Sequence, residues 1–198
     1  MIQTNKDVAI LDYGTGNLKS IQNCIKKIGY NPIITSNKLK LKKCRAIILP
    51  GVGSFNEAIK NIKKKKLIHF LKNYSNQNQK LIGICLGMQL MCKSSSENGI
   101  NNGLNIFKGK IIKLKKINVG WRSVFLRSTL LKKFDYLKNF FYYNHSYFYS
   151  SNDSSVIANT GNLDIPAILK NKNNFGIQFH PEKSQQNGIL LFKDIIEC

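Results

Sequence analysis

Hydrophobic residues follow two alternating periods along the first half of the chain. Short apolar runs of the kind found in buried strands lie at residues 7–14, 31–36, 44–51 and 80–85. Apolar residues at helical spacing occur at residues 17–30, 55–74 and 88–94. This alternation predicts a mostly parallel sheet with helices on both faces. Functional groups in such sheets lie beyond the carboxyl ends of the strands, where the turns DYGTG, LPGVG and ICLGM follow three of the predicted strands.

The second half of the chain has a different pattern. Strand-like segments separated by short polar turns lie at residues 104–121, 140–149, 154–160, 166–173 and 175–182, and a closing helix lies at 187–196. We find neither an internal repeat nor a linker. The prediction is one α/β domain over residues 1–198, in which a mostly parallel sheet flanked by helices carries additional antiparallel strands from the second half.

The formal net charge of +21 is compatible with nucleic-acid or acidic-membrane binding. Most of the basic residues are Lys in runs such as 38–43 and 63–66, whereas specific nucleic-acid readers favour Arg. No zinc-finger, RNP or helix-turn-helix signature occurs. We therefore expect solvated Lys faces, with neither nucleic acid nor membrane as a partner. A further interpretation is that part of the charge meets an acidic partner or an anionic substrate.

The chain lacks an apolar run of transmembrane length and the residue order of a signal peptide, which predicts a cytoplasmic protein. The cysteines are odd in number, and their spacing fits neither a metal site nor a disulfide scaffold. We expect reduced thiols and no metal or cofactor. The cysteines are Cys24, Cys44, Cys85, Cys92 and Cys198.

Cys85 lies between Gly83 and Gly87, at the junction of a predicted strand and a predicted helix. This arrangement is the thiol version of the nucleophile elbow, in which glycines permit a sharp turn and close packing. A helix N-terminus favours the reactive thiolate, and the backbone N–H of Leu86 can point at a developing oxyanion. The alternative is a buried cysteine used only for packing.

His180 and Glu182 are two residues apart in the segment FGIQFHPE, which we predict to be extended. A period of two places both side chains on one face, where Glu182 can hold one ring nitrogen and leave the other to serve the thiol. The alternative is a surface ion pair at a strand end. A histidine and a glutamate at this spacing, together with a thiol elbow, favour a Cys–His–Glu triad.

The turn LPGVGSF contributes backbone rather than side chains. Amides around Gly51, Val52 and Gly53 can line a pocket beside the thiol and supply a second oxyanion donor, while Ser54 caps the following helix. Taken with the triad, this turn predicts acyl transfer through a thioester intermediate, which water then releases as an acid.

These motifs resemble the class I glutamine amidotransferases of the triad type. The segments ILDYGTGNLKSI, FYYNHSY and PEKSQQNGILLFKD are similar to the glutaminase subunits of imidazole glycerol phosphate synthase, and the similarity covers essentially the whole chain. The resemblance implies a flavodoxin-like sheet and hydrolysis of glutamine by Cys85, with His180 as base and Glu182 as its orienting group. It also implies an oxyanion site at Gly51, Val52 and Leu86. Glutamine would be held by Gly53, Gln89, His145, Ser146 and Tyr147.

The resemblance further implies a heterodimer with a (β/α)₈-barrel synthase subunit. Ammonia would pass to that partner, which makes imidazole glycerol phosphate and AICAR in histidine biosynthesis. Trp121, Tyr142 and Lys183 are implied to lie at the interface. One segment departs from the family: Pro-His-x-Gly-Trp-Asn is replaced by INVGWR at residues 117–122.

The identity of the ammonia acceptor has an alternative, since paralogous glutaminases feed sugar amidotransferases in surface-polysaccharide synthesis. Two other classes of function are a basic binding module that has lost catalysis and a related thiol hydrolase such as a peptidase. The intact Cys85, His180 and Glu182 disfavour the binding module.

Overall fold

The structure is a computed structural model that describes residues 5–127, 140–151, 153–163 and 165–198, apart from the side chain of residue 162. Strands and helices alternate through the first half, as the hydrophobic pattern predicts. The strands are β1 (Asp7–Leu11), β2 (Asn31–Thr35), β3 (Ala46–Leu49) and β4 (Lys80–Ile84). The helices are α1 (Leu18–Lys27), α2 (Lys38–Lys43), α3 (Phe55–Lys64), α4 (Ile68–Asn76) and α5 (Leu86–Leu90).

The helical pattern at 55–74 corresponds to two helices, so the prediction of one continuous helix is wrong. The chain breaks after α3 because Lys66 adopts a positive φ of 55°, which no helix contains. The Lys run at 38–43 forms the short helix α2, in which only Leu41 is buried. The Asn37 side chain caps α2 by accepting hydrogen bonds from two backbone N–H groups.

The second half consists mainly of strands and ends in a helix. The short strands are β5 (Ser94–Ser95) and β6 (Asn101–Asn102), and the long ones are β7 (Lys110–Leu126) and β8 (Phe140–Ser150). They are followed by β9 (Val156–Thr160), β10 (Ile165–Asn171), β11 (Asn174–Ile177) and α6 (Gln185–Glu197). In the described part of this half, 3₁₀ turns lie at Gly161–Leu163 and Pro181–Lys183.

Strand order confirms the predicted fold class. Parallel pairing joins the strands in the order β2-β1-β3-β4-β11, so the last strand of the chain lies beside β4. Antiparallel pairing continues through β10, β9 and β7, and the long strand β7 also pairs with β8. The carboxyl ends of β1, β3, β4 and β11 therefore meet at one edge of the sheet.

Both faces of the parallel strands β1, β3, β4 and β11 are buried, whereas the edge strand β2 is partly exposed. Ile10, Ile48 and Ile82 face one hydrophobic cluster, which includes residues of α1 and α6. Their neighbours Leu11 and Leu49 face the other cluster, which includes residues of α3 and α4. This period of two explains why the strands read as continuous apolar runs. None of the helices in the described ranges is long and apolar enough to cross a membrane.

Candidate active site

Cys85 occupies a sharp turn between β4 and α5. Its backbone has φ 50° and ψ −108°, a strained conformation for a residue with a side chain. Its N–H donates a hydrogen bond to the carbonyl of Ile177 at 2.6 Å, which ties the turn to the neighbouring strand β11. A Cβ at Gly87 would lie 1.9 Å from the carbonyl oxygen of Leu49, so only glycine fits the helix start. The predicted elbow geometry is therefore present.

His180 and Glu182 form a buried pair, in which Nδ1 of the imidazole lies 2.8 Å from Oε1 of the carboxylate. Glu182 holds a ring nitrogen of His180, as predicted, and since each side chain is 2% exposed the surface-pair alternative is wrong. The strand β11 ends at Ile177 and His180 is still extended, but Pro181–Lys183 form a 3₁₀ turn, so the extended geometry predicted for residues 175–182 is wrong at its end. Glu182 reaches the imidazole through the 3₁₀ turn at Pro181, whose ring fixes φ.

The ionisation of His180 depends on its two neighbours. Burial of the imidazole opposes its protonation, but interactions with the side chains of Cys85 and Glu182 outweigh burial and raise the pKa of His180 from 6.5 to about 10. At neutral pH the charged imidazolium is therefore favoured. A charged imidazolium beside a thiol is the arrangement that a thiolate nucleophile requires.

A pocket of about 230 Å³ opens over the thiol. Its wall includes every residue that the sequence predicts for the triad's nucleophile and base, the oxyanion site and the glutamine site. These residues are Gly51, Val52, Gly53, Cys85, Leu86, Gln89, His145, Ser146, Tyr147 and His180. Glu97 and Asn144 complete the lining. Glu182 lies behind His180 rather than in the wall.

Backbone N–H groups supply the donors in this pocket. Within the described ranges, no group accepts a hydrogen bond from the N–H of Gly51, Val52 or Gly53. Leu86 is the first residue of α5, where N–H groups have no partner inside the helix. Free donors near a nucleophile are what a developing oxyanion needs.

His145 is a neutral part of the pocket wall. Its Nδ1 lies 2.8 Å from the carbonyl oxygen of Tyr147, to which it must donate, so Nε2 accepts from Nδ2 of Asn118 at 2.9 Å. Burial lowers the pKa of His145 to about 4, although the bond to Tyr147 acts in the opposite direction. Asn118 belongs to INVGWR, the segment that departs from the family.

The sequence analysis did not predict two residues of the pocket wall, Glu97 and Asn144, or Gln178, which lies near the thiol outside that wall. Gln178 is fully buried, and its Nε2 lies 3.9 Å from Sγ of Cys85. Its Oε1 accepts from Nε2 of Gln89 at 3.5 Å. The signal that could have identified Gln178 is its spacing: it precedes His180 by two residues, which places both side chains on one face of an extended segment. Glu97 accepts a hydrogen bond from the N–H of Phe55 at 3.0 Å, and no local pattern signals its approach to the pocket.

The three residues implied at a partner interface lie together on the surface beside the triad. The rings of Trp121 and Tyr142 are in edge contact, with centroids 6.0 Å apart, and Nζ of Lys183 lies 5.6 Å from the centre of the Tyr142 ring. We call these three residues the aromatic–lysine cluster. Trp121 is 42% exposed, so this cluster offers an apolar ring and a cation to a partner.

The described residues contain no group of three or more His, Cys, Asp and Glu side chains placed to hold a metal ion. Several buried polar side chains at the pocket are paired with one another or with backbone carbonyls. Gln89, for example, donates from Nε2 to the carbonyl of Tyr147 at 2.9 Å.

Comparison with known proteins identifies relatives of this chain. A family model described as glutamine amidotransferase class-I matches residues 9–198. The imidazole glycerol phosphate synthase subunit HisH of Caldanaerobacter subterraneus subsp. tengcongensis is 38% identical over 205 residues, covering 96% of this chain and 99% of the relative. The Pyrococcus furiosus subunit of the same name is 38% identical over 195 residues, covering 94% and 96%.

Solved structures share the fold at lower sequence identity. A crystal structure of a glutamine amidotransferase superposes with a TM-score of 0.76 at 14% identity, covering 96% of this chain and 99% of that one. The structure of PurLQS from Thermotoga maritima gives 0.77 at 17% identity, covering 98% of each chain. Together with the match over residues 9–198, these comparisons establish that the chain belongs to the class I glutamine amidotransferase family, among the HisH subunits of imidazole glycerol phosphate synthase.

Proposed function

We propose that this chain hydrolyses glutamine through Cys85 and delivers the ammonia to a synthase subunit that forms imidazole glycerol phosphate and AICAR. The convergence of Cys85 and the buried His180–Glu182 pair on one pocket is the observation that carries the proposal. Triad roles follow from this geometry: Cys85 is the nucleophile, His180 the acid and base, and Glu182 the group that orients and stabilises the imidazolium.

Acylation begins when His180 holds the thiol proton and the thiolate attacks the side-chain carbonyl carbon of glutamine. A carbon–sulfur bond forms, and the carbonyl π electrons move to oxygen. N–H groups of Gly51, Val52 and Leu86 stabilise this oxyanion. When the oxyanion collapses, the carbon–nitrogen bond breaks and His180 gives its proton to the departing amide nitrogen, which leaves as ammonia. A glutamyl thioester remains on Cys85.

Deacylation uses the same groups in reverse order. Neutral His180 takes a proton from water as the oxygen attacks the thioester carbon, and the same donors hold the second oxyanion. Breaking the carbon–sulfur bond returns the electron pair to Cys85, and the imidazolium proton returns to the thiol. The balance is one glutamine and one water consumed for one glutamate and one ammonia.

Glutamine selectivity requires partners for its α-ammonium and α-carboxylate. Glu97 is the carboxylate in the pocket wall, which suits the α-ammonium. Backbone N–H groups of Ser146 and Tyr147 suit the α-carboxylate, and Gln89 fixes this segment by donating to the Tyr147 carbonyl. His145, which is neutral, lets this end of the pocket accept a zwitterion without adding a charge. Gly53 leaves room at the pocket mouth.

The aromatic–lysine cluster is the surface we assign to the partner, which by family resemblance is a (β/α)₈ barrel. Tyr142 belongs to this cluster, and its backbone is bonded to that of His180. A subunit bound to this cluster would contact Tyr142, whose backbone is hydrogen-bonded to the base His180. Delivery of ammonia to a sugar amidotransferase is the alternative, but the curated HisH relatives favour the histidine route.

The test combines the chain with an imidazole glycerol phosphate synthase subunit. Cys85→Ala should abolish glutamine-dependent product formation and leave ammonia-dependent formation intact. Cys198→Ala, which removes the exposed cysteine, is the matched control and should change neither rate. Glutamine use by Cys85→Ala would refute the triad. Glutamine hydrolysis without transfer to that synthase would refute the histidine route.

A further inference from the structure

The turn DYGTG has no role in the triad, yet it touches the loop that carries the oxyanion donors. Tyr13 follows β1, is fully buried, and donates a hydrogen bond from its hydroxyl to the carbonyl oxygen of Pro50 at 2.5 Å. A Cβ added to Gly16 would lie 3.2 Å from Cβ of Pro50, so the same turn also packs on the proline ring. The turns meet because β1 and β3 are adjacent parallel strands.

The Pro50 carbonyl that Tyr13 contacts belongs to the same peptide group as the Gly51 N–H. A trans peptide is planar, so the direction of the Pro50 carbonyl fixes the direction of the Gly51 N–H. Within the described residues the Gly51 N–H has no acceptor, and Gly51 is part of the pocket wall. A hydroxyl that holds the carbonyl therefore also restrains the free donor on the other end of the peptide.

Helix α5 restrains this peptide from the opposite side. A Cβ at Gly51 would lie 2.3 Å from the backbone nitrogen of Gly87, which leaves no room for the loop to move toward the helix. The start of LPGVG is thus held between Tyr13 and α5. Val52 and Gly53 follow, and their N–H groups donate to no other described residue, so their orientation depends on this fixed start.

We propose that Tyr13 is a positioning residue for the oxyanion site, acting through the Pro50 carbonyl on the amides of Gly51 and Val52. The inference rests on the proposed glutaminase function. It gives the Tyr-Gly-Thr-Gly turn a role in transition-state stabilisation, in addition to its structural role at the sheet edge. Preorganised donors accelerate acyl transfer because they need no rearrangement when the oxyanion forms.

Tyr13→Phe removes the hydroxyl and keeps the ring, and the complex with the synthase subunit is the system to measure. We expect kcat for glutamine hydrolysis to fall on the order of tenfold and KM to stay within about twofold, because the interaction acts on the transition state. Tyr74→Phe is the matched control, since Tyr74 is also buried and its hydroxyl has no partner among the described residues.

Two probes of Cys85 separate positioning from folding. The aldehyde analogue of glutamine adds to the thiolate, forming a carbon–sulfur bond and an oxyanion, so its affinity should fall in parallel with kcat in Tyr13→Phe. Iodoacetamide alkylates the thiolate by displacing iodide and forms no oxyanion. The rate of Cys85 alkylation, followed by peptide mass, should therefore stay unchanged.

Unchanged kcat and aldehyde affinity in Tyr13→Phe would overturn the proposal. A loss of alkylation together with a lowered melting temperature would overturn it as well, because Tyr13 would then act through folding. These outcomes are distinct from failure of the proposed function, in which the parent complex itself would release no glutamate from glutamine.

Discussion

The backbone N–H of His180 donates a hydrogen bond to the carbonyl oxygen of Tyr142 at 2.8 Å. The Tyr142 side chain lies in the aromatic–lysine cluster, and Ser184 links the same two residues again. Its hydroxyl donates to the His180 carbonyl at 2.6 Å and accepts from the Tyr142 N–H at 3.0 Å. The backbone of the base His180 is thus hydrogen-bonded to Tyr142, a residue of the cluster that we assign to the partner interface.

Trp121→Ala should weaken binding of the synthase subunit. The ring is half-exposed and packs on Tyr142 of the cluster. Loss of an aromatic interface anchor costs about 2 kcal/mol or more, or roughly thirtyfold in Kd. Stimulation of glutaminase activity at subsaturating synthase should fall with it. Phe125→Ala, which removes an exposed ring from the same strand β7, is the control. Equal losses from both variants would contradict the assignment of the cluster.

Glu182→Gln should shift the pH dependence of glutamine hydrolysis. The carboxylate helps to raise the pKa of His180 to about 10, so removing its charge lowers that pKa. Because the imidazolium is the acid that protonates ammonia, the alkaline limb of the kcat/KM profile should move to lower pH. The rate near pH 8 should fall on the order of 10²-fold. An alkaline limb that stays in place would refute the role of Glu182.

The same pair predicts a pH-dependent contribution to stability. Since the folded-state pKa of His180 lies above 6.5, its stabilisation is complete below about pH 6.5 and is lost as the pH rises through about 10. Denaturant titrations across this range should show a smaller loss for Glu182→Gln than for the parent. Glu197→Gln, an exposed change at the end of α6, should behave as the parent does.

Sequence patterns predicted those parts of the site that depend on neighbours along the chain. The Cys85 elbow follows from Gly83 and Gly87, and the strands follow from apolar runs buried on both faces. The pairing of His180 with Glu182 was predicted for the wrong local reason, because a 3₁₀ turn rather than a pleat brings them together.

The features that the sequence did not predict depend mainly on contacts between residues distant along the chain. Glu97 enters the pocket from the segment between β5 and β6, and its carboxylate is bound by the N–H of the N-terminal residue of α3, a contact distant along the chain. Asn118 meets His145 through the pairing of β7 with β8, next to an irregularity in register. The break between α3 and α4 has no Gly or Pro to mark it, since Lys66 itself adopts the positive φ.

Asn118→Asp should give His145 a titration in the neutral range. The parent imidazole is neutral above about pH 4, because burial and the charge of His180 outweigh its bond to the Tyr147 carbonyl. A carboxylate in place of the amide, 2.9 Å from Nε2, favours the charged ring and raises its pKa. Nitrogen chemical shifts of the imidazole should then titrate between about pH 6 and 8, the region around the ordinary histidine value.

The KM for glutamine should become pH-dependent over the same range in this variant, whereas the parent KM should not follow a titration of His145. Other ionisable groups near this ring are His180 and the phenol of Tyr143, whose pKa burial raises well beyond the assay range. Asn102→Asp, which adds the same charge on the exposed strand β6, is the control. A neutral His145 at pH 6 in Asn118→Asp would disprove the coupling.

Gln178→Met should slow the reaction of Cys85 while preserving the fold. The amide nitrogen of Gln178 lies 3.9 Å from Sγ, and methionine fills a similar volume without a donor. A donor to a charged group contributes about 1.5–3 kcal/mol, so alkylation of Cys85 by iodoacetamide at pH 7 and kcat should both fall by at least about tenfold. The matched control is Gln77→Met, an exposed change after α4. Alkylation at the parent rate, with kcat reduced, would show that Gln178 acts through Gln89 and the glutamine site instead of through the thiolate.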